Sequence, residues 1–186
     1  MARLLLAAAL SAAVAPCAFP KVFMTQEEAL EAALGSSSAR ERRTAYLTEE
    51  QAGRIEALAG TAPTTRIVVS YTGGPDPNHP LTAYFDTHFV RTLPESIMVV
   101  VGASGKAARV EILSFDEPED YLPKRRWLDQ FDDRPLGDEL SLRGGIRAVT
   151  GATLSSRSIT DAVRRVLATH AVLAAPAAAP PAGAKR

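Results

Sequence analysis

A run of five apolar residues, Ile97 to Val101, is followed by the turn Ala103-Ser104-Gly105-Lys106 and then by a second apolar-rich stretch, Ala108 to Phe115. Two β-favouring segments joined by so short a glycine-bearing turn have one economical solution, an antiparallel hairpin. That hairpin commits this part of the chain to a sheet. The segments before it agree: Arg66 to Tyr71 reads as a strand, and Leu81 to Thr92 alternates aromatic and polar residues as a half-buried strand does. Gly73, Gly74, Pro75 and Pro77 mark the loop between them.

Helices flank this sheet region. Thr25-Gln26-Glu27-Glu28 has the spacing of a capping box, in which threonine and glutamate each satisfy a backbone N–H at a helix start. Its helix runs to about Leu34 and stops at Gly35. A second box at Thr48-Glu49-Glu50-Gln51 opens a helix to about Ala59, stopped by Gly60, with Ile55 and Leu58 as its apolar edge. Ser36–Ser38 reads as a loop. Further on, Asp116–Leu122 reads as an acidic loop, Pro123–Phe131 as a short helix and Ile146–Val149, after Gly144-Gly145, as a brief strand. A last helix, Arg157 to Ala171, places Ile159, Val163, Val166 and Leu167 on one face. The fold class is α+β: a twisted antiparallel sheet with packed helices, two short helices before it and one long helix at its end. The expected divisions are a leader at 1–18, an N-terminal helical preface at 19–65, a binding domain at 66–173 and a disordered Ala/Pro tail at 174–186.

Composition narrows the function. Lys+Arg and Asp+Glu are 21 each, which argues against a general nucleic-acid binder. Three histidines and one cysteine, Cys17, exclude the usual Cys/His zinc site. Arg3 followed by the apolar run Leu4–Ala15 reads as a signal peptide or a membrane anchor, with the folded part outside the cytoplasm. Loss of Cys17 with the leader would leave a cysteine-free chain, which suits that compartment.

The chemistry is concentrated in Thr150-Gly151-Ala152-Thr153-Leu154-Ser155-Ser156, directly before the last helix. A helix's first N–H groups lack partners and its dipole favours an anion. Gly151 and Ala152 let a ligand approach the backbone, and four hydroxyls can cap the helix or contact phosphate oxygens. These residues resemble the flavin-attachment motif of the FMN-binding domain family, found in subunits of the Rnf electron-transport complex and of sodium-pumping NADH:quinone reductase. The resemblance extends over about 67–173 and includes Tyr84-Phe85-Asp86-Thr87-His88 and Tyr121-Leu122-Pro123.

The resemblance implies FMN as cofactor, esterified to Thr153 by a magnesium-dependent flavin transferase that uses FAD as donor. Thr150, Gly151, Ala152, Leu154, Ser155 and Ser156 would complete the cofactor site. His88, on the same strand face as Tyr84 and Asp86, is a further candidate contact. Where the family motif carries an aspartate, three residues before its first hydroxyl residue, this chain has Arg147. Arg147 weakens the case for attachment if the transferase reads the aspartate, and its guanidinium also suits phosphate.

Trp127 and Phe131 are candidates for ring or core packing, and Lys124-Arg125-Arg126 for a solvated face or an acidic partner. The reading is an exported electron carrier serving a membrane or periplasmic redox protein. A flavin-free interaction module and a small reductase with non-covalent FMN stay open.

Overall fold

The computed structural model describes residues 21–36 and 39–175. The leader with Cys17, part of the Ser36–Ser38 loop and nearly all of the Ala/Pro tail lie outside them. The elements in chain order are α1 (Gln26–Leu34), β1 (Glu41–Tyr46), α2 (Glu49–Ala59), β2 (Ile67–Gly73), β3 (Leu81–Phe89), β4 (Pro94–Val101), β5 (Ala107–Phe115), α3 (Arg125–Leu128) and α4 (Thr153–Ala174). The five strands form one antiparallel meander in the order β1-β2-β3-β4-β5. The fold class is the expected α+β.

Both capping boxes form. Thr25 accepts from the Glu28 N–H and Thr48 from that of Gln51, while each partner side chain returns a bond to the cap N–H. Gly60 ends α2 in the left-handed conformation. Leu58, expected on the buried edge of α2, is 46% exposed. Ile55, the other residue of that edge, is buried as expected, together with Ala52 and Ala59, and it is Ile55 and Ala59 that pack on a neighbouring helix.

Strand β1 has no apolar alternation to announce it. Glu41, Arg42, Arg43, Thr44 and Tyr46 are exposed, and the strand exists because its backbone pairs with Ile67–Thr72. Charged side chains on such an edge discourage pairing with another chain. The expected strand at Ile146–Val149 does not form. Side chains take the place of a neighbouring strand there. Gln130 Oε1 accepts the Arg147 N–H at 2.9 Å, and the Trp127 indole N–H donates to the Arg147 carbonyl at 2.5 Å.

The sheet is covered on both faces, which explains why β4 is apolar without alternation. Met98 and Val100 pack with Ala83 and Leu113 against Ala29, Leu30 and Leu34 of α1. Ile97, Val99 and Val101 point the other way, to Ile159, Val163, Val166 and Leu167 of α4. The four α4 residues are those expected from the helical spacing. Helix α2 extends this layer, with Ile55 and Ala59 against Ala168 and Val172. Arg164 ties α4 to the end of α2 by donating to the Ala59 carbonyl at 2.8 Å, and to the loop preceding α4 by donating to the Gly137 carbonyl at 2.6 Å. It thereby serves an orphan carbonyl at the end of α2.

Between α4 and the sheet lies a buried charged chain. Arg165 donates to both oxygens of Asp86, at 2.8 and 3.2 Å. Asp86 Oδ1 faces His88 Nδ1 at 2.8 Å, and His88 Nε2 faces Glu95 Oε2 at 3.2 Å. Burial alone would raise the Asp86 pKa, yet the His88 and Arg165 hydrogen bonds outweigh it and hold the carboxyl below its usual range. Burial alone would lower that of His88, yet the two carboxylates hold the imidazole above its ordinary value. Burial pushes Glu95, fully enclosed, upward. With His88 protonated, two cations face two carboxylates.

The pH dependence follows from these directions. Asp86, lowered, contributes stability above about pH 3.9 that is lost as pH falls through its folded value. His88, raised, contributes stability that is complete below about pH 6.5 and lost as pH rises through its folded value. Glu95, raised, acts in the same direction as His88. Urea unfolding should therefore show stability falling on the alkaline side of about pH 6.5, and His88→Gln should flatten that fall. Arg165→Met leaves His88 as the one cation facing two buried carboxylates and should cost about 3 kcal/mol at pH 6.

Candidate functional site

Helix α4 begins at Thr153, four residues earlier than its apolar spacing indicates. Its first turn is built differently from those of α1 and α2. Ala152 stands at the cap and offers no side-chain bond, and no acidic residue occupies the first turn. The earlier helices each have a capping threonine and two glutamates there. The turn leading into α4 is held from within. The Val149 N–H donates to Ser156 Oγ at 2.9 Å, and Ser156 Oγ–H donates to the Ala152 carbonyl at 3.0 Å. Gly151 has φ +83, and a side chain there would meet no neighbour, so it is the backbone angle that calls for glycine.

Gly151, Ala152, Thr153, Leu154 and Ser155 form one wall of a cavity of about 300 Å³. The opposite wall is Val90 and Arg91 from the β3–β4 turn, with Glu117 and Tyr121. Arg91 lies over the Tyr121 ring at 5.9 Å. Glu117 Oε1 accepts the N–H groups of Thr92, Arg91 and Leu93 at 3.1–3.2 Å. These bonds, that from Thr92 foremost, hold the Glu117 carboxyl below its ordinary range. One carboxylate thus fixes the turn that forms the far wall.

The motif residues divide by environment. Thr153 and Leu154 are exposed at the cavity. Among the described residues nothing hydrogen-bonds the Thr153 hydroxyl. Ser155 is 1% exposed and its Oγ is buried without a partner. An orphaned hydroxyl of this kind, beside unpaired first-turn N–H groups, is costly unless a ligand supplies the acceptor. Ser156 is used inside the turn, and Thr150 is exposed and not part of the cavity wall. His88 is buried with both ring nitrogens engaged, and it too is not part of the wall. Arg147 lines a neighbouring groove. Phe131 is core, and Trp127 is half-buried at that groove.

Sequence reasoning did not find Val90, Arg91 or Glu117, which reach the cavity only through sheet closure. Tyr121 entered it only within the Tyr121-Leu122-Pro123 run.

Unpaired backbone donors, two free hydroxyls and Arg91, with no first-turn acid to repel it, fit a phosphate. Residues 94–168 match the family model described as FMN-binding domain. No curated protein and no solved structure gives a match to the chain.

Glu117→Gln should loosen the far wall without unfolding the sheet. Hydrogen exchange at Arg91, Thr92 and Leu93 should quicken by roughly tenfold, about 1.4 kcal/mol, while β4 amides keep their protection.

Proposed function

We propose that this chain is an exported electron carrier holding FMN at the first turn of α4, a reading supported by the match of residues 94–168 to the family model described as FMN-binding domain. The observation that carries this is the accessible, unbonded Thr153 hydroxyl next to the orphaned Ser155 Oγ, at a helix start without cap or acid.

In this reading the first-turn N–H groups, Ser155 and Arg91 hold the phosphate, and the exposed Leu154 offers an apolar contact. FMN supplies the electron chemistry, exchanging one or two electrons. The protein binds it, orients it and limits its access to water. The attachment joins Thr153 Oγ1 to the FMN phosphorus. With FAD as donor, the pyrophosphate bond breaks, AMP leaves and the threonine proton is released. A flavin transferase supplies the activation that a threonine hydroxyl lacks.

Export is consistent with Arg3 and the Leu4–Ala15 run. A covalent bond keeps the cofactor where free flavin is scarce and a dissociable one would be lost by mass action. No described helix is long and apolar enough to cross a membrane. The proposed partner is a membrane or periplasmic redox protein, and the proposed location is the periplasm or the outer face of the cytoplasmic membrane.

Intact mass of the protein co-produced with a flavin transferase tests this. Wild type should gain the mass of FMN less water and show flavin fluorescence after denaturing electrophoresis, Thr153→Ala should show neither, and Thr153→Ser should retain part of the attachment. Flavin released by acid precipitation of wild type would replace the ester with non-covalent binding.

A further inference from the structure

A second and larger recess lies beside the motif cavity and takes no part in the function proposed above. It is a groove of about 880 Å³, within the ~300–1,000 Å³ range of small-molecule sites. One side is the segment around Leu122 to Trp127, and the other is the segment from Gly145 to Val149. Its apolar surface comes from Trp127, Leu122, Ala148 and Val149.

The charges around it are unbalanced. Lys124, Arg126, Arg134 and Arg147 line the groove, against Glu119 and Asp120. Among the described residues Lys124, Arg126 and Arg147 have no ion-pair partner, whereas Glu119 is paired with Lys21. Arg134 is fixed at the groove by its bond to the Gln130 carbonyl and by close approach to Gly145, where a side chain would meet Arg134 Nη1 at 2.7 Å. Unneutralised cations beside a recess raise the local concentration of anions.

The aromatic surface is held in place. Trp127 is anchored by its N–H on the Arg147 carbonyl and packs edge-on against the buried Phe131, with ring centroids 5.3 Å apart. A ring whose orientation is set before binding loses little freedom when a second ring joins it. A fixed indole flanked by free guanidinium and ammonium groups selects a flat apolar body carrying negative charge.

We propose that the groove between residues 119–127 and 145–149 is a binding site for a planar aromatic anion, separate from the phosphate-binding turn of α4. The proposal stands on this groove alone and does not need FMN to be bound.

The chain contains one tryptophan, so its fluorescence reports on this groove. Anthraquinone-2-sulfonate is the probe, titrated into FMN-free protein by tryptophan quenching and by calorimetry. Saturable binding is expected, weakened at least tenfold in Arg126→Gln/Arg147→Gln and weakened again by added salt. Trp127→Leu should weaken it by calorimetry, and equimolar inorganic sulfate should not displace it. The arginine side chains make no bonds within the described residues, so circular dichroism of the double variant should match wild type.

The proposal is overturned if the double variant binds within twofold of wild type, or if no saturable binding occurs below millimolar probe. It is also overturned if loading with FMN abolishes probe binding, since the groove would then hold the flavin. A protein that takes up no FMN but binds the probe as described would sink only the flavin reading.

Discussion

The seating of α4 on the sheet decides where the candidate site lies. Two kinds of contact fix it. An apolar stripe, Ile159, Val163, Val166 and Leu167, packs on the inner faces of β4 and β5. Beside it, Arg165 meets Asp86 in a buried, two-point contact that continues through His88 to Glu95. Apolar burial supplies attraction with little directional preference. The planar fork of an arginine on a carboxylate supplies geometry. Sliding α4 along the sheet would separate Arg165 from Asp86 and leave buried charges unpaired. The first turn of α4 is thereby held opposite the β3–β4 turn, and the cavity exists because those two turns face each other.

The three main helices illustrate how a site differs from scaffold. Two of them close their first turns with threonine boxes and place glutamates there, so their donors and dipoles are satisfied locally. The third presents small residues, an open hydroxyl and an enclosed hydroxyl without a partner. Satisfying that turn internally would remove the unpaired donors that suit an anion. The cost is moderated by the surrounding structure: Ser156 braces the entering backbone and Glu117 braces the wall across from it. Both bracing side chains, Ser156 and Glu117, fall within residues 94–168, the stretch that matches the family model described as FMN-binding domain.

Much of the fold was legible because the signals are local. The capping boxes, the Gly35 and Gly60 stops, the hairpin from Ile97 to Phe115 and the apolar face of the last helix all rest on spacings within a few residues. The failures were non-local. Strand β1 is carried by pairing with β2 and not by its own composition. The segment 146–149 had the apolar content of a strand, but Gln130 and Trp127 satisfy its backbone instead. His88 had the right strand face for a site residue, and that face turned out to hold the charged chain beneath α4. Leu58 had helical spacing but faces solvent, since the α2–α4 contact runs through Ile55 and Ala59.

By itself the sequence determined that an antiparallel sheet would be flanked by capped helices, and that a glycine-bearing hydroxyl turn would open the last of them. Hydrogen-bonding capacity, backbone freedom at glycine and hydrophobic period are properties of short stretches, and they act before any distant contact forms. Only the tertiary structure decided which motif hydroxyls remain free, which side chains stand across from them, and that Arg147 faces a different recess from Thr153. Those outcomes depend on residues from Val90 to Ser156 being brought within a few ångströms by sheet closure and helix docking, and no local spacing encodes that distance.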